Sequence, residues 1–316
     1  MRSARAQELA RNLYSPAMRY FLAAAEAGSI RAASRELNVA SSAVNRQILW
    51  LEEALGLQLF ERVGRRMRLS QAGEVLLAHI RRTYSDFEGT VAELDALKGL
   101  RRGTVSIASV ESVAERLLPA VISSFRRTYP GIHVNVSVSS SQEAARKVEA
   151  AEADVGFTFD PPDMSTLTAA FHHDLVIGAV MAPNHPLADE NDLSLADCLR
   201  YPVALPAECL SIRARIDVIR SRIPGASMTY VEANSLRLMR ALARDENVIG
   251  FQTQIGCEED IEAGHLIFKP LKDEPLQADR LCVVTSSLRA LALAPAMFFD
   301  HAVFALKERL ASIDAN

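Results

Sequence analysis

Two groups of polar residues in this 316-residue chain have the types and spacing for chemistry. The first is Ala40-Ser41-Ser42-Ala43 followed by Asn45, Arg46 and Gln47, within ELNVASSAVNRQILWLEEALG over residues 36–56. Small side chains let a backbone approach another surface closely. Arg can pair with guanine, and Asn or Gln with adenine. Serine hydroxyls and a helix N-terminus suit phosphate. The alternative for Ser41 and Ser42 is a plain helix cap. Arg62, Arg65, Arg66 and Arg68 cluster around Gly64, and Arg31 lies upstream. The second group is Glu111 and Ser112, with Ser139-Ser140-Ser141 further on. Ser112 and Glu115 have the S-x-x-E spacing of a capping box.

The first group needs a helical frame. Pro16 opens a pattern with Met18, Phe21, Leu22 and Ala25 on one face, and Gly28 stops it. Ser29 suits the start of a short second helix that buries Ile30, Ala33 and Leu37. Asn38-Val39 makes a turn. A third helix then starts near Ser41 or Ser42, and Val44, Ile48, Leu51 and Leu55 fall within about 60° of one another as its buried stripe. Helices joined by a tight turn read as a helix-turn-helix, whose second helix enters the DNA major groove. LQLFERVGRRMRLS then reads as two short strands, a basic wing for backbone phosphates. Ser70 caps a long helix in which Leu77, Ile80, Tyr84, Phe87, Val91 and Leu94 recur at spacings of three and four. That seam predicts pairing with a second copy of the chain, the alternative being packing on its own chain.

Charge divides the same way. Residues 1–102 hold 16 Lys and Arg against 11 Asp and Glu, whereas the remainder holds 19 against 28. The basic end suits a polyanion. Beyond Gly99–Gly103, a hinge by composition, strand and helix patterns alternate, which predicts α/β units around mainly parallel sheets. Two such lobes imply a hinged cleft, with ligands at helix N-termini beyond the strand ends. His172-His173 is expected at an edge or in a loop. The cysteines Cys198, Cys209, Cys257 and Cys282 form no CxxC pair, so buried thiols are expected, with a Cys198–Cys209 redox pair as the alternative. No metal, cofactor, catalytic triad or membrane span is expected, and no apolar leader opens the chain.

AGSIRAASRELNV, AVNRQILWLEEALGLQLFER and LSQAG, in this order and at these separations, give a chain that resembles the LysR-type transcriptional regulators nearly end to end. The resemblance implies a winged helix-turn-helix over residues 1–70 (core from about 15), a linker and dimerisation helix over 71–98, and a two-lobed effector domain of periplasmic-binding-protein type over 104–316. Its lobes would comprise 104–175 with 277–316, and 176–276. It places effector contacts at Ser112 and Ser141, faced by Phe159, Leu205, Ser211, Gln252 and Thr253. Many effectors of such regulators are carboxylates. Glu111 at the pocket mouth disfavours one, so a neutral or amine-bearing effector is expected. The family commonly has Ser-Gln-Pro-Ala-Val-Ser where this chain has Ala40-Ser41-Ser42-Ala43-Val44-Asn45, so no operator sequence carries over.

The expectation is a cytoplasmic, DNA-binding regulator and no enzyme. Its partners would be double-stranded operator DNA, a small-molecule effector, further copies of itself as a homodimer or homotetramer, and RNA polymerase. The rival is a ligand-binding or catalytic α/β protein whose N-terminal module only mediates oligomerisation. The arginine-rich wing argues against it, because association alone needs no such cluster.

Overall fold

The structure is a computed structural model that describes residues 14–63, 66–96, 103–161, 165–223, 229–244, 247–276 and 278–313. Helix α1 (Pro16–Ala27) is capped by Ser15, whose hydroxyl accepts the Ala17 N–H at 3.2 Å, and ends on Gly28 at φ 60°. Helix α2 (Ile30–Leu37) ends on Asn38 at φ 54°, a left-handed turn that asparagine tolerates. Helix α3 (Ser41–Leu55) follows. Phe21, Leu22, Ala24, Ala33, Val44 and Ile48 form the core between them. Leu55, expected in the buried stripe of α3, is instead 50% exposed. The chain leaves the helix there, and Glu52 one turn earlier makes the connection, its Oε1 accepting the Leu59 and Phe60 N–H groups at 2.8 and 3.3 Å.

Strands β1 (Phe60–Val63) and β2 (Arg66–Leu69) form the antiparallel hairpin of the wing. Ser70 then caps helix α4 (Gln71–Ala96), accepting the Gly73 N–H at 3.1 Å. Its apolar seam does not wait for a second copy. Leu77, Ile80 and Tyr84 are buried with Phe21, Leu22 and Leu59 of the same chain, and Phe87 packs edge-on against Tyr14. Val91 is buried too, and nearby Gly89 lies so close to Ala292 that an added Cβ would fall 2.7 Å from the alanine methyl. Only Leu94 of the six is exposed, at 53%. Heptad spacing specifies an apolar stripe and leaves the partner open; here the chain's own α1 supplies most of it.

Beyond residue 102 lie two five-stranded sheets. The first has the order β4 (Ile132–Val138), β3 (Gly103–Ser109), β5 (Val155–Phe159), β12 (Asp279–Ser286), β6 (Leu167–Leu175). The second runs β11 (Ile267–Pro270), β7 (Ile177–Met181), β10 (Ile249–Thr253), β8 (Val203–Pro206), β9 (Thr229–Ala233). Each is mixed rather than mainly parallel. In the first, β3 is parallel to β4 and β5 while β12 runs against β5 and β6. In the second, β8 is parallel to β9 and β10 while β7 runs against β10 and β11. The antiparallel members are those that carry the chain between sheets.

The helical run after β3 is broken: α5 (Glu111–Glu115) ends at Arg116 and α6 (Leu117–Thr128) begins anew. Pro119 explains the break, since its ring would clash with the carbonyl of Glu115 in a continuous helix. The capping box expected at Ser112 is absent. Val110 precedes the helix without a side-chain cap, Ser112 is buried, and Glu115 reaches across to Arg240. Helices α7 (Ser141–Glu149), α9 (Ser211–Arg220) and α10 (Leu236–Ala243) reach the cleft, while the short α8 (Leu195–Cys198) and α11 (Glu258–Glu262) belong to the second lobe. Helix α12 (Leu293–Ile313) returns to the first sheet, where Phe298, Ala302 and Leu306 are buried with Phe125 and Ile107. His172 and His173 lie inside edge strand β6, where Leu167, Phe171 and Leu175 turn inward.

Candidate functional site

The start of α3 is the first site. Ser42, Asn45 and Arg46 are exposed on the side away from buried Val44 and Ile48, Gln47 is half-buried at its flank, and Ser41 is exposed at the first turn on the Val44 side. Ala40, which bears no capping oxygen, precedes the helix. Ser41 is anchored to α2 through a 2.9 Å hydroxyl contact with Ser34, whose Oγ donates to the Arg31 carbonyl at 3.0 Å. This contact fixes how α3 leaves the turn. Ser42 has no such tie among the described residues, so the two serines differ: one positions the helix and the other faces outward. Arg31 and Arg68 are exposed. Arg62 and Arg66 lie in the hairpin strands, while Arg65 falls outside the described residues.

The second site lies between the two sheets. A cavity of about 270 Å³ is lined by seven of the residues expected from the sequence: Glu111, Ser112, Ser141, Phe159, Ser211, Gln252 and Thr253. Leu205 is not among the lining residues. It is 1% exposed and packs in the core of the second sheet with Val203, Ile249 and Phe251. Strand β8 is buried along its whole length, so no alternation of polar and apolar residues marks which of them face the cavity. Ser139 and Ser140, noted in the serine run but not placed as ligand contacts, also line the cavity, and sequence reasoning missed Val138, Leu210, Asn234 and Asp279. Ser139 and Ser140 adjoin Ser141 in the serine run, which was a usable signal. Asp279 had none beyond being an acid at the start of an apolar strand.

Three elements set these groups. Helix α7 is capped by Ser140, while Ser141 Oγ accepts the Phe159 N–H at 3.3 Å and thereby joins α7 to β5. Helix α9 opens without a side-chain cap, and Ser211 Oγ donates to Asp279 Oδ2 at 3.2 Å. Helix α10 takes Glu111 at its N-terminus: Oε2 accepts the Leu236 N–H at 2.6 Å and Oε1 the Ser235 hydroxyl at 2.9 Å. The Glu111 charge is thus committed to the opposite lobe, and the reason it offered for excluding carboxylate ligands is removed.

More charges bridge the lobes behind the cavity. Arg240, buried on α10, pairs with Glu115 of the first lobe and with Asp260 at 3.1 Å, and its Nη1 donates to Gln252 Oε1 at 3.4 Å. Burial pushes the Glu115 carboxyl above its usual range, against the opposing pull of Arg240. Arg116 meets Glu262 at 2.8 Å, and Arg215 on α9 pairs with Asp160 after β5. Gly256, at φ 90°, approaches the first lobe so closely that a Cβ would lie 3.0 Å from the Ser112 Cα. A side chain there would be strained by the positive φ and would press on the Ser112 backbone.

The comparisons agree over most of the chain. Residues 16–74 match the model for bacterial regulatory helix-turn-helix proteins of the lysR family, and residues 98–305 match the LysR substrate binding domain. The chain belongs to the LysR family. A probable nitrogen assimilation transcriptional activator of Synechococcus elongatus is 27% identical, with 88% of this chain and 90% of that protein covered. The transcriptional dual regulator GltC of Bacillus subtilis is 33% identical over 57% of this chain and 60% of its own length. A full-length OxyR variant from Pseudomonas aeruginosa has the same fold at 17% identity, with a TM-score of 0.70 over 90% of this chain and 93% of that one. Full-length CbnR, solved with its target DNA, gives 0.51 at 19% identity over 92% and 98%. This LysR-family chain is therefore a DNA-binding transcriptional regulator with an effector-binding domain, not an enzyme.

The cysteines have no part in the geometry of a redox pair. All four are free; Cys198 is closed off in the core of the second sheet, while Cys209 is exposed at the cavity. Burial pushes the Cys198 thiol far up and that of Cys257 to about 12, which disfavours the reactive thiolate. Among the described residues no His, Cys, Asp and Glu grouping could hold a metal, and no helix is long and apolar enough to cross a membrane.

Proposed function

We propose that the start of α3 enters the major groove of operator DNA, with Ser42, Asn45, Arg46 and Gln47 toward base edges. Arg31 and the wing arginines Arg62, Arg65, Arg66 and Arg68 would hold phosphates. The observation that carries this is the exposure of Ser42, Asn45 and Arg46 together on the face opposite Val44 and Ile48, beside a basic hairpin. The cavity between the sheets is the effector site. Its walls come from both lobes, so a ligand changes the free energy of the closed form directly. In a homodimer or homotetramer acting in the cytoplasm, that change would alter the spacing of two DNA-binding heads and their contact with RNA polymerase. Because Leu77, Ile80 and Tyr84 are used within the chain, self-association has to use other surfaces, to which α4 contributes exposed Val75 and Leu94.

The test is binding to the chain's own upstream DNA at two salt concentrations, for wild type and Arg46→Ala. A bidentate base contact is worth about 1–3 kcal/mol, so the variant should lose roughly tenfold to a hundredfold in specific affinity. Undiminished specific binding in Arg46→Ala would refute the groove-reading role.

A further inference from the structure

The cleft has an uneven supply of charge and hydrogen-bonding capacity. Among the described residues that line the cavity there is no Lys, Arg or His. A purely anionic ligand would therefore meet no cation in the wall. Asp279 lines the cavity, is 1% exposed, and its Oδ1 has no hydrogen-bond partner. The nearest cation, Arg215, is 3.9 Å away and is held by Asp160, so two carboxylates share one guanidinium. A buried acceptor left in this state is costly unless a donor arrives.

The same cavity presents donors elsewhere. The N-termini of α7 and α9, nine and ten residues long, open onto it through Ser141 and Ser211. Ser139 Oγ, also in the wall, is buried without a partner. Val138 and Leu210 add apolar surface to the wall. The volume, about 270 Å³, lies just below the usual range for ligand sites, roughly 300–1,000 Å³, which suits a small ligand.

We propose that this cavity takes a small zwitterion of the α-amino acid type, its ammonium group donating to Asp279 Oδ1 and its carboxylate received by Ser139 Oγ and the N-termini of α7 and α9. The proposal rests on the reading of the cleft as the effector site. The groups facing Asp279 are Asp160, Arg215 and Ser211. Burial, reinforced by Asp160, pushes its carboxyl up to about 7. An ammonium group at Oδ1 holds the carboxylate ionised, so affinity should rise with pH from 6 to 8 while the ligand amine stays protonated.

The experiment is calorimetric titration of the full chain with the common L-amino acids, each paired with the 2-hydroxy and 2-oxo acid of the same carbon skeleton. At least one amino acid should bind better than both its counterparts and lose about tenfold to a hundredfold in Asp279→Asn, the worth of a charged hydrogen bond. Ser139→Ala should weaken the same amino acid by a smaller factor, which keeps the test open should Asp279→Asn fail to fold. Silence of every amino acid, or tighter binding of an amine-free acid, would overturn the proposal. Binding to the upstream DNA is followed in parallel. If specific DNA binding persists and no amino acid binds, the zwitterion alone is refuted. If the chain shows no specific DNA binding, the proposed function itself fails.

Discussion

The start of α3 and the contacts between the two lobes both use small polar residues and arginine, yet they hold them in opposite states. At α3, Ser42, Asn45 and Arg46 stand in water. In the cleft, Asp279, Gln252 and Arg240 are buried, and Glu111 is bound across the lobes. A polar group in water already has partners, so it waits for DNA at little cost. A buried one has lost its water, and leaving it unpaired costs about 1–3 kcal/mol. Substitutions at α3 should therefore change binding and leave stability alone, whereas substitutions in the cleft should move both.

Arg240→Ala gives the largest effect on the cleft side. It strands Glu115 and Asp260 and removes the donor to Gln252. Breaking a buried pair costs about 3–5 kcal/mol. At about 2–4 °C per kcal/mol for a unit of 150–250 residues, the melting temperature should fall by roughly 10 °C. Arg46→Ala should melt with the wild type. Equal melting of both variants would erase the contrast.

Asp279→Asn sharpens it through pH. The folded-state pKa of Asp279 is raised to about 7 from an ordinary 3.8, so between these values the folded chain holds a proton that the unfolded chain has lost. Stability therefore falls as pH rises through that window. The asparagine variant does not titrate. Relative to wild type it should gain a few degrees in melting temperature at pH 8 over its position at pH 5. A gap that stays constant between the two would mean that Asp279 does not change charge there.

The two regions also differ in how much of them was legible. The N-terminal frame could be read because its signals are local: Pro16 opens a helix, Gly28 and Asn38 take left-handed turns, and Val44 and Ile48 repeat at helical spacing. What failed there was partner assignment, since Leu77, Ile80 and Tyr84 pack on α1 of the same chain. The cleft depends on contacts between distant segments. Glu111 meets Leu236, Ser211 meets Asp279 and Glu115 meets Arg240, and no spacing rule connects such pairs. Family resemblance brought Ser112, Ser141, Phe159, Ser211, Gln252 and Thr253 to the cavity wall but misplaced Leu205, because a strand buried on both faces has no alternation to read.

The smallest expected effect concerns the open site alone. Arg68 is exposed on β2, and its proposed role is to hold a phosphate. Gripping a phosphate carries no sequence information, so Arg68→Ala should weaken operator and random DNA alike. With one phosphate-holding cation fewer, the slope of log affinity against log salt should become shallower by about one. Melting temperature and response to ligand should stay at wild-type values, because Arg68 is exposed on the hairpin and is not among the residues that line the cavity. A variant that instead loses affinity for the operator alone, with an unchanged salt slope, would place Arg68 at a base edge. The wing would then share the reading of sequence with α3, and the division between a gripping hairpin and a reading helix would have to be given up.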